Sequence, residues 1–471
     1  MSYQGYVTKL KNVRPHPNAD RMKLADCFGN TVCVGLDAVE NEIIIYFPTD
    51  GQLSVEYCEQ NNLVRKKDEN GNNIGGYLDP DKRNVKAIKL RGEKSDGIVM
   101  PLSSIVYTGI NLDDLNVGDP ITVLNGHEIC QKYIPRRQHR QGGYSEGNKT
   151  RKHKAPVAPL FMEHADTEQL AYNLGAFKSG DEIEITLKMH GTSQRTGYLP
   201  TLKGYKRTLW DRITRKEGTP IYDWGGVSGT RRVVLENYDG GFYGNNAFRE
   251  QHSKVFEGKL QKGETVYYEV VGFTDTGASI MASCDNKKLN DKEFIKQYGE
   301  TTVFSYGCEP DPKNLVVADS NTDEVAGVKI PLVPQSDIYV YRMTMTNEDG
   351  YVVEYTPDFM RYRCEQMGVK TVPVLWKGVI PENPATANDP TVTPGEWIMN
   401  VAERFYDGPD PIGKTHVREG VVVRILNRPK FAAYKHKNFS FKVLEGIIKE
   451  TAEAPDMEEA DGLEESTSDG V

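Results

Sequence analysis

The sequence predicts an α+β protein in which a strand-rich first part is followed by a larger part of mixed strands and helices. Short apolar or alternating runs, separated by Gly, Pro, Asn and Asp, follow one another closely over residues 1–125. Over residues 160–450 alternating runs are mixed with segments of helical period. A polar stretch at 126–159 separates the two parts. We therefore expect two folded domains and a linker.

The first part is predicted to be a small β-barrel over residues 1–125. Its strands are expected at residues 5–10, 23–28, 31–35, 42–47, 85–90, 97–101 and 120–124. The second part, 160–450, is predicted to contain helices at 166–174 and 357–367 and strands at 267–272, 302–306 and 420–425.

Charge is unevenly distributed along the chain, whose net charge is −9. Residues 136–154 carry seven Lys and Arg and a single acid, Glu146, whereas residues 451–471 are acidic and rich in small residues. The acidic tail is predicted to be disordered. The basic linker could follow a phosphate backbone, or it could be a solvated connector.

Composition excludes several classes of protein. The seven cysteines are scattered and none forms a C-x-x-C pair, so we expect reduced thiols and no zinc site. No apolar run approaches the roughly 20 residues needed to cross a bilayer. The first residues have no signal-peptide pattern. A cytoplasmic location is expected, in the host-cell cytoplasm if the protein is viral, with no membrane contact.

The stretch 181–197 is the best candidate for a reactive site. Ile183, Ile185 and Leu187 alternate as in a half-buried strand, and Lys188 follows them directly before a turn that contains Gly191. A lysine can attack phosphorus only as the neutral amine, which burial or nearby positive charge favours. The alternative is that Lys188 is an ordinary surface lysine.

The letters K-x-H-G-T-S from Lys188 resemble motif I of the covalent nucleotidyltransferases, and most closely that of their RNA ligases. Further segments resemble the later motifs of this superfamily in the same order. They are G-T-R-R-V with Arg231 and Arg232, Y-Y-E-V-V-G with Glu269, F-S-Y with Phe304, R-E-G-V-V-V-R with Glu419, and Y-K-H-K with Lys435 and Lys437. Each segment alone is as consistent with a structural role. The order of all six makes chance a poor explanation.

The resemblance implies a role for each of these residues. Lys188 would become bonded to AMP from ATP, with His190, Gly191, Arg195, Glu269 and Phe304 around the nucleotide. Phe304 would stack on the base, Lys435 and Lys437 would reach the α-phosphate, and Glu269 and Glu419 would hold the waters of Mg²⁺ or Mn²⁺. Arg231 and Arg232 would contact phosphate of the polynucleotide. His190 stands where many ligases have aspartate, and Leu187 stands where several have glutamate, for which Glu184 is a possible substitute.

Two N-terminal segments resemble OB modules that precede certain RNA ligases. These are H-P-N-A-D-R at 16–21, and K-L-R-G at 89–92 with S-D-G at 95–97. The implied fold is an N-terminal OB-like β-barrel followed by a nucleotidyltransferase (ATP-grasp-like ligase) domain with antiparallel sheets and flanking helices. OB barrels bind oligonucleotides on one face. The alternative is a barrel that only packs against its neighbour.

The implied function is that of an ATP-dependent RNA ligase that joins a 3′-OH to a 5′-phosphate, as a monomer, with RNA or RNA/DNA hybrid ends as substrate and nicks in duplexes as the expected target. The alternatives are a DNA ligase or RNA guanylyltransferase of the same superfamily, or a non-catalytic OB-fold RNA-binding protein. Residues 408–415 match the P-loop expression G-x-x-x-x-G-K-T, but Pro409 and Pro411 remove backbone donors and a strand is expected afterwards, so we reject a phosphate cradle there.

Overall fold

The computed structural model describes residues 3–69, 71, 74–134, 155–165, 167–214, 218–238, 246–309, 335–384 and 391–450. The basic segment 136–154 and the tail 451–471 lie outside the described residues, and the predictions made for them stay predictions. The chain divides into two compact units. They are Met1–Arg137 with Lys437–Glu453, and Gln138–His436 with Ala454–Val471.

The strands before residue 135 are short, with two to five residues each. They are β1 (Gly5–Lys9), β2 (Lys11–Pro15), β3 (Lys23–Cys27), β4 (Asn30–Val34), β5 (Ile43–Phe47), β6 (Gly51–Leu53), β7 (Ala87–Leu90), β8 (Glu93–Asp96), β9 (Ile98–Pro101), β10 (Pro120–Ile121), β11 (Val123–Leu124), β12 (His127–Glu128) and β13 (Cys130–Lys132). Every strand region predicted for this part overlaps at least one of them.

The strands of the first unit pair in separate sheets. One has the order β10-β1-β5-β9, a second has the order β2-β3-β4, and the pairs β7-β8, β6-β13 and β11-β12 complete the set. The described strands form no closed barrel, so the predicted barrel is not confirmed.

The two N-terminal motifs contact each other inside this unit. His16 is buried, and its Nε2 lies 3.1 Å from the carbonyl oxygen of Leu90. The side-chain amide of Asn18 donates to the carbonyl oxygen of Arg91 over 3.0 Å. The segment around His16 thus packs on the turn between β7 and β8, where the K-L-R-G letters lie. The hydrophobic core of this unit includes Val7, Phe47 and Tyr57.

Fourteen strands are described from residue 155 onward, and four of them form two long antiparallel pairs. They are β14 (Glu168–Gln169), β15 (Glu182–Lys188), β16 (Thr192–Lys206), β17 (Thr219–Gly229), β18 (Val234–Leu235), β19 (Glu264–Gly272), β20 (Cys284–Asp285), β21 (Thr301–Thr302), β22 (Ser336–Thr346), β23 (Val352–Glu354), β24 (Lys370–Thr371), β25 (Val374–Val379), β26 (Gly420–Ile425) and β27 (Ala433–Lys437). The strands predicted at 267–272 and 420–425 are confirmed.

The α-helices of the described residues include one that agrees with its prediction at both ends. They are α1 (Val55–Gln60), α2 (Leu209–Thr214), α3 (Ala247–Lys254), α4 (Lys292–Tyr298), α5 (Pro357–Met367), α6 (Pro394–Glu403) and α7 (Phe439–Glu450). Helix α5 begins after the N-cap Thr356, with Pro357 in its first turn, and ends at Gly368 in the left-handed conformation. These are the residues that start and stop helices.

The helix predicted at 166–174 is wrong. The described residues form β14 and two short 3₁₀ turns, Leu170–Tyr172 and Leu174–Ala176. Asn173 and Gly175 interrupt the segment, and both residue types are poor helix formers. None of the helices in the described part of the chain is long and apolar enough to cross a membrane.

Two larger sheets organise the second unit. One has five strands in the order β14-β27-β26-β15-β25, and the other has seven, of which six follow the order β18-β17-β16-β19-β22-β23 while β24 pairs with β22. Residues such as Tyr268, Val270, Val340 and Met360 form one hydrophobic core that includes α5 and the strands β19 and β22. Strand β15 belongs to the five-stranded sheet and β16 to the seven-stranded sheet. Residues 189–191 therefore join the two sheets.

Candidate active site

Lys188 is the last residue of β15, at the point where the chain passes from one sheet to the other. Ile183, Ile185 and Leu187 are buried, as the alternation predicts. Lys188 lies on the opposite side of the strand and is paired in register with Gly420 of β26. Because Glu419 directly precedes Gly420, this register brings a carboxylate beside the lysine.

The amine and the carboxylate form a close ion pair. Lys188 Nζ lies 2.9 Å from Glu419 Oε1, and His190 Nδ1 lies 3.5 Å from Glu419 Oε2. The side chain of Glu419 is 2% exposed, whereas those of Lys188 and His190 are 19% and 13% exposed. A buried carboxylate thus lies beneath a lysine and a histidine that solvent reaches.

Gly191 allows a strand of the second sheet to approach this turn. A Cβ at this position would lie 2.4 Å from the carbonyl oxygen of Val270 and 2.9 Å from Cγ of Glu269. A larger residue would therefore push β19 away. The close approach of β19 thus requires a glycine here, and the contact of Gly191 with the nucleotide stays a prediction.

Glu269 is brought to the same region by the pairing of β19. It is 8% exposed and lies opposite Ser193 of β16 and Tyr339 of β22. The hydroxyl groups of Ser193 and Tyr341 are hydrogen-bonded at 3.0 Å. Three residues predicted from separate motifs, Lys188, Glu269 and Glu419, thus surround one turn.

An aromatic wall lies on the far side of His190. The rings of His190 and Phe304 meet edge to face with centroids 4.5 Å apart, and the backbone N–H of His190 donates to Tyr306 Oη over 2.6 Å. Burial and the neighbouring carboxylates, Asp410 first among them, raise the pKa of Tyr306 well above its ordinary value. Phe304 is 1% exposed, so in this structure its ring packs against protein.

The strand predicted at 302–306 is present only at its first residue. Strand β21 ends at Thr302, and Tyr306 and Gly307 have φ values of 49° and 77°. Two successive residues in the left-handed region turn the chain and end strand pairing. This turn aims the hydroxyl of Tyr306 at His190.

Asp410 and His416 complete the wall, and sequence reasoning missed both. The His416 ring lies 5.1 Å from that of Phe304 and 4.7 Å from that of Tyr306, centroid to centroid. Asp410 is fully buried, its Oδ1 accepts the N–H of Ile412 over 2.9 Å, and burial raises its pKa. Burial lowers the pKa of His416. Asp410 lies in the segment that matches the P-loop expression, and His416 directly follows it; the segment contains turns and no helix.

The predicted arginines differ in accessibility. Arg195 is 2% exposed, lies over the ring of Phe161 at 4.3 Å, and donates to the carbonyl oxygens of Phe161 and Arg232. Arg231 and Arg232 lie in the turn between β17 and β18, where Arg231 is half-buried and Arg232 exposed. Of these three arginines, only Arg231 and Arg232 can be reached by a phosphate from solvent. Glu184 forms a two-bond ion pair with Arg361, at 3.1 and 2.8 Å.

The two lysines near the end of the chain have different surroundings. Lys435 is half-buried on β27, the neighbour of β26 in the five-stranded sheet. Lys437 Nζ lies 3.0 and 2.9 Å from the carboxylate oxygens of Glu445 on α7, and both residues belong to the first unit.

A second group of cations lies in the second unit, and it was not predicted as a group from the sequence. Arg342 Nη1 lies 3.3 Å from His164 Nδ1, and Arg342 also binds Glu354. Arg342 and Arg424 lie over the ring of Phe431 at 4.8 and 4.9 Å. Burial and these arginines hold the pKa of His164 well below its ordinary value. Arg424 is the last letter of the R-E-G-V-V-V-R segment, and the other residues belong to none of the motifs found in the sequence.

The fold has counterparts among solved structures. An RNA ligase of Naegleria gruberi, solved as a mutant with ATP and Mn, superposes with a TM-score of 0.52 at 15% identity, over 94% of this chain and 99% of that one. The same ligase with PPi gives 0.50 at 16% identity over 93% and 97%, and a mutant with AMP and Mn gives 0.50 at 15% over 93% and 97%.

This chain has the fold of those RNA ligases. No family model matches the sequence, and no curated protein matches it. The mixed α/β architecture with antiparallel sheets, predicted from the sequence, is confirmed.

Proposed function

We propose that this protein is an ATP-dependent RNA ligase that joins a 3′-OH end to a 5′-phosphate end through a lysyl-AMP and an adenylylated strand. The observation that supports it most is the Lys188–Glu419 pair, 2.9 Å apart at the junction of two sheets, in a chain with the fold of an RNA ligase. A lysine at such a junction is reachable by solvent while its partner is buried.

In the first step the amine of Lys188 attacks the α-phosphorus of ATP. The N–P bond forms, the bond between the α-phosphorus and the bridging oxygen breaks, and pyrophosphate leaves. The ammonium form must first lose a proton, because only the neutral amine has an electron pair to donate. Glu419 Oε1 lies within proton-transfer distance of Nζ, at 2.9 Å.

The carboxylates suit a hydrated metal ion. No set of three or more His, Cys, Asp or Glu side chains among the described residues could hold a metal by itself. Mg²⁺ prefers one or two carboxylates together with waters and phosphate oxygens. Glu419 and Glu269 can provide the carboxylates. When bound, Mg²⁺ or Mn²⁺ supplies positive charge that stabilises the phosphate oxygens during transfer.

The nucleotide would be held by residues on both sides of Lys188. His190 has its imidazole anchored by Phe304 and its backbone fixed by Tyr306, and it is the more exposed member of this wall. We infer that His190 contacts the nucleotide and that Phe304 orients the imidazole of His190. Lys435 and Lys437 would neutralise charge on the α-phosphate.

The next two steps act on the polynucleotide. A 5′-phosphate oxygen attacks the phosphorus of lysyl-AMP and releases Lys188, and then a 3′-hydroxyl attacks that 5′-phosphate and releases AMP. Arg231 and Arg232 would contact the strand. The first unit, with its OB-like motifs around His16 and Leu90, would grip the strand that supplies the 3′-hydroxyl. The expected substrates are nicks in RNA or RNA/DNA duplexes. We expect the protein to act as a monomer in the cytoplasm.

The decisive experiment is incubation of the purified chain with α-³²P-ATP and Mg²⁺. We expect label that stays on the protein in denaturant and is released by acid, as a phosphoramidate requires. Lys287→Ala, at an exposed ion pair with Glu300, is the control and should label like wild type. A folded protein that takes no label would refute the proposal. Label from GTP in preference to ATP would favour a guanylyltransferase.

A further inference from the structure

A long hairpin extends from the second sheet beyond its core. Its strands are β16 and β17, paired from Arg195–Gly229 to Lys206–Thr219. Near the sheet Leu199 and Val227 are buried with Phe161, whereas farther out Lys203, Lys206 and Thr219 are exposed. We call the described residues 200–214 and 218–224 the arm. Residues 204–224 form a long interval between the K-x-H-G-T-S and G-T-R-R-V segments, and the sequence alone assigns them no role.

The arm is held near its base by residues 156 and 157. The N–H of Leu202 donates to the carbonyl oxygen of Val157 over 2.8 Å, and Tyr222 Oη donates to that of Pro156 over 2.9 Å. These two bonds hold the hairpin at the Leu202–Tyr222 pair, so the base of the arm has a fixed position.

The end of the arm carries apolar side chains in solvent. Leu209, Trp210 and Ile213 of α2 are 79%, 72% and 73% exposed. The turn is well formed, since Thr208 and Asp211 exchange hydrogen bonds at 2.8 and 3.2 Å and so cap the helix. Leu209 and Ile213 are four residues apart and therefore share a face of α2. A folded protein exposes such a cluster at a binding surface.

The charge of the arm indicates what it binds. The arm contains four Lys and Arg and two Asp, in a chain whose net charge is −9. Lys206 and Arg207 directly precede the exposed apolar cluster. An exposed tryptophan between cations is the arrangement that binds bases by stacking and backbone phosphates by charge. An apolar surface for a protein partner would not need this excess of positive charge.

We propose that the arm binds the RNA of the substrate, with Trp210 stacking on a base and Lys206 and Arg207 contacting phosphates. This inference rests on the proposed ligase function and adds to it an element that holds the polynucleotide. Strand β16 has 15 residues, and at about 3.3 Å per residue it extends roughly 46 Å from Thr192, beside the active-site turn, to Lys206. The arm thus contacts RNA remote from the joined ends and takes no part in the chemistry of lysyl-AMP formation.

The test measures RNA affinity and self-adenylylation on the same full-length proteins. Fluorescence anisotropy with a labelled single-stranded RNA and a labelled nicked RNA duplex gives the Kd for wild type, Trp210→Ala, Trp210→Phe and the double variant Lys206→Ala/Arg207→Ala. Tyr351→Ala, which removes an aromatic ring that is 73% exposed elsewhere in this unit, is the matched control. Labelling with α-³²P-ATP and circular dichroism are recorded for each protein.

We expect Trp210→Ala to weaken RNA binding about fivefold or more, the range for loss of one stacked base, and Trp210→Phe to restore most of it. The double variant should weaken binding and reduce the slope of log affinity against log salt by about one for each lost phosphate contact. Tyr351→Ala should bind RNA as wild type does, and all variants should accept AMP at the wild-type rate.

RNA affinities within twofold of wild type, together with unchanged salt slopes, in every arm variant would overturn the inference. If Trp210→Ala left RNA binding intact but dissociated an oligomer in sedimentation, the arm would be a protein-docking surface and the inference would be wrong. If wild type took no AMP while the arm variants still lost RNA affinity, the ligase proposal would fail and the arm would stand as an RNA-binding element. The two failures are therefore distinguishable.

Discussion

Two buried carboxylates of the second unit each bind a cation, and their surroundings differ in one respect. Glu264 is fully buried and accepts hydrogen bonds from Arg363 at 2.9 and 2.8 Å and from Tyr355 at 3.0 Å. Glu419 binds Lys188 at 2.9 Å, and the lysine is 19% exposed where Arg363 is 9% exposed. A guanidinium keeps its proton at any working pH, whereas an amine can lose it. The first pair can only stabilise the fold, while the second can supply a nucleophile.

The largest expected effect comes from removing the amine. Lys188→Ala should lower lysyl-AMP formation at least about a thousandfold, since no other group replaces a lost covalent nucleophile. Sealing of a strand that is already adenylylated should persist, because that step no longer uses the amine. Both activities are measured with labelled substrates on gels. Loss of both, in a protein with wild-type circular dichroism, would contradict the role of Lys188.

The other pair should show the reverse pattern. Arg363→Met leaves Glu264 buried without its cation, which costs about 3–5 kcal/mol of unfolding free energy. Urea denaturation measures the loss, and labelling per folded molecule should stay close to wild type. If labelling fell while stability did not, the distinction between the two pairs would be wrong.

A smaller effect should follow from neutralising the active-site carboxylate. Glu419→Gln keeps the size of the side chain and removes its charge, so lysyl-AMP formation should fall about a hundredfold, in the range found for single groups that stabilise a transition state. Raising the Mg²⁺ or Mn²⁺ concentration should restore part of the rate if the carboxylate helps to hold the metal. Asp358→Asn, at an exposed carboxylate that binds Arg361 and Lys377, is the matched control.

Acid should weaken the fold through a buried histidine outside the active site. His252 Nε2 lies 2.8 Å from Ser336 Oγ, and burial lowers the pKa of His252 to about 4. Below its unfolded pKa of about 6.5 the unfolded chain takes up a proton that the folded chain refuses, so the free energy of unfolding decreases as the pH falls from about 6.5 toward 4. At about pH 5 this histidine should account for about 2 kcal/mol.

The check is urea denaturation at neutral and acid pH with His252→Gln, which can still hydrogen-bond to Ser336 and does not titrate. Its stability should depend less on pH than that of wild type. An unchanged pH dependence would assign the acid sensitivity to other groups, and activity lost in acid could then be traced to the site.

The elements that sequence predicted well have strong local signals. Helix α5 has a Thr cap, a proline in its first turn and a glycine after its end, and the strands ending at Lys188 and beginning at Gly420 alternate or are continuously apolar. The segment around Phe304 misled because its apolar residues resemble a strand, while the left-handed conformation of Tyr306 depends on contacts with distant residues.

The sequence by itself determined the α+β class, the strand that carries Lys188, and the order of the motifs along the chain, because these depend on local periodicity and on neighbouring residues. Tertiary structure decided that β26 places Glu419 beside Lys188, that Asp410 and His416 support the aromatic wall, that Arg195 is buried, and that the first unit forms separate sheets. Strand register and burial depend on which segments meet in space, and residues far apart in sequence carry no local mark of that pairing.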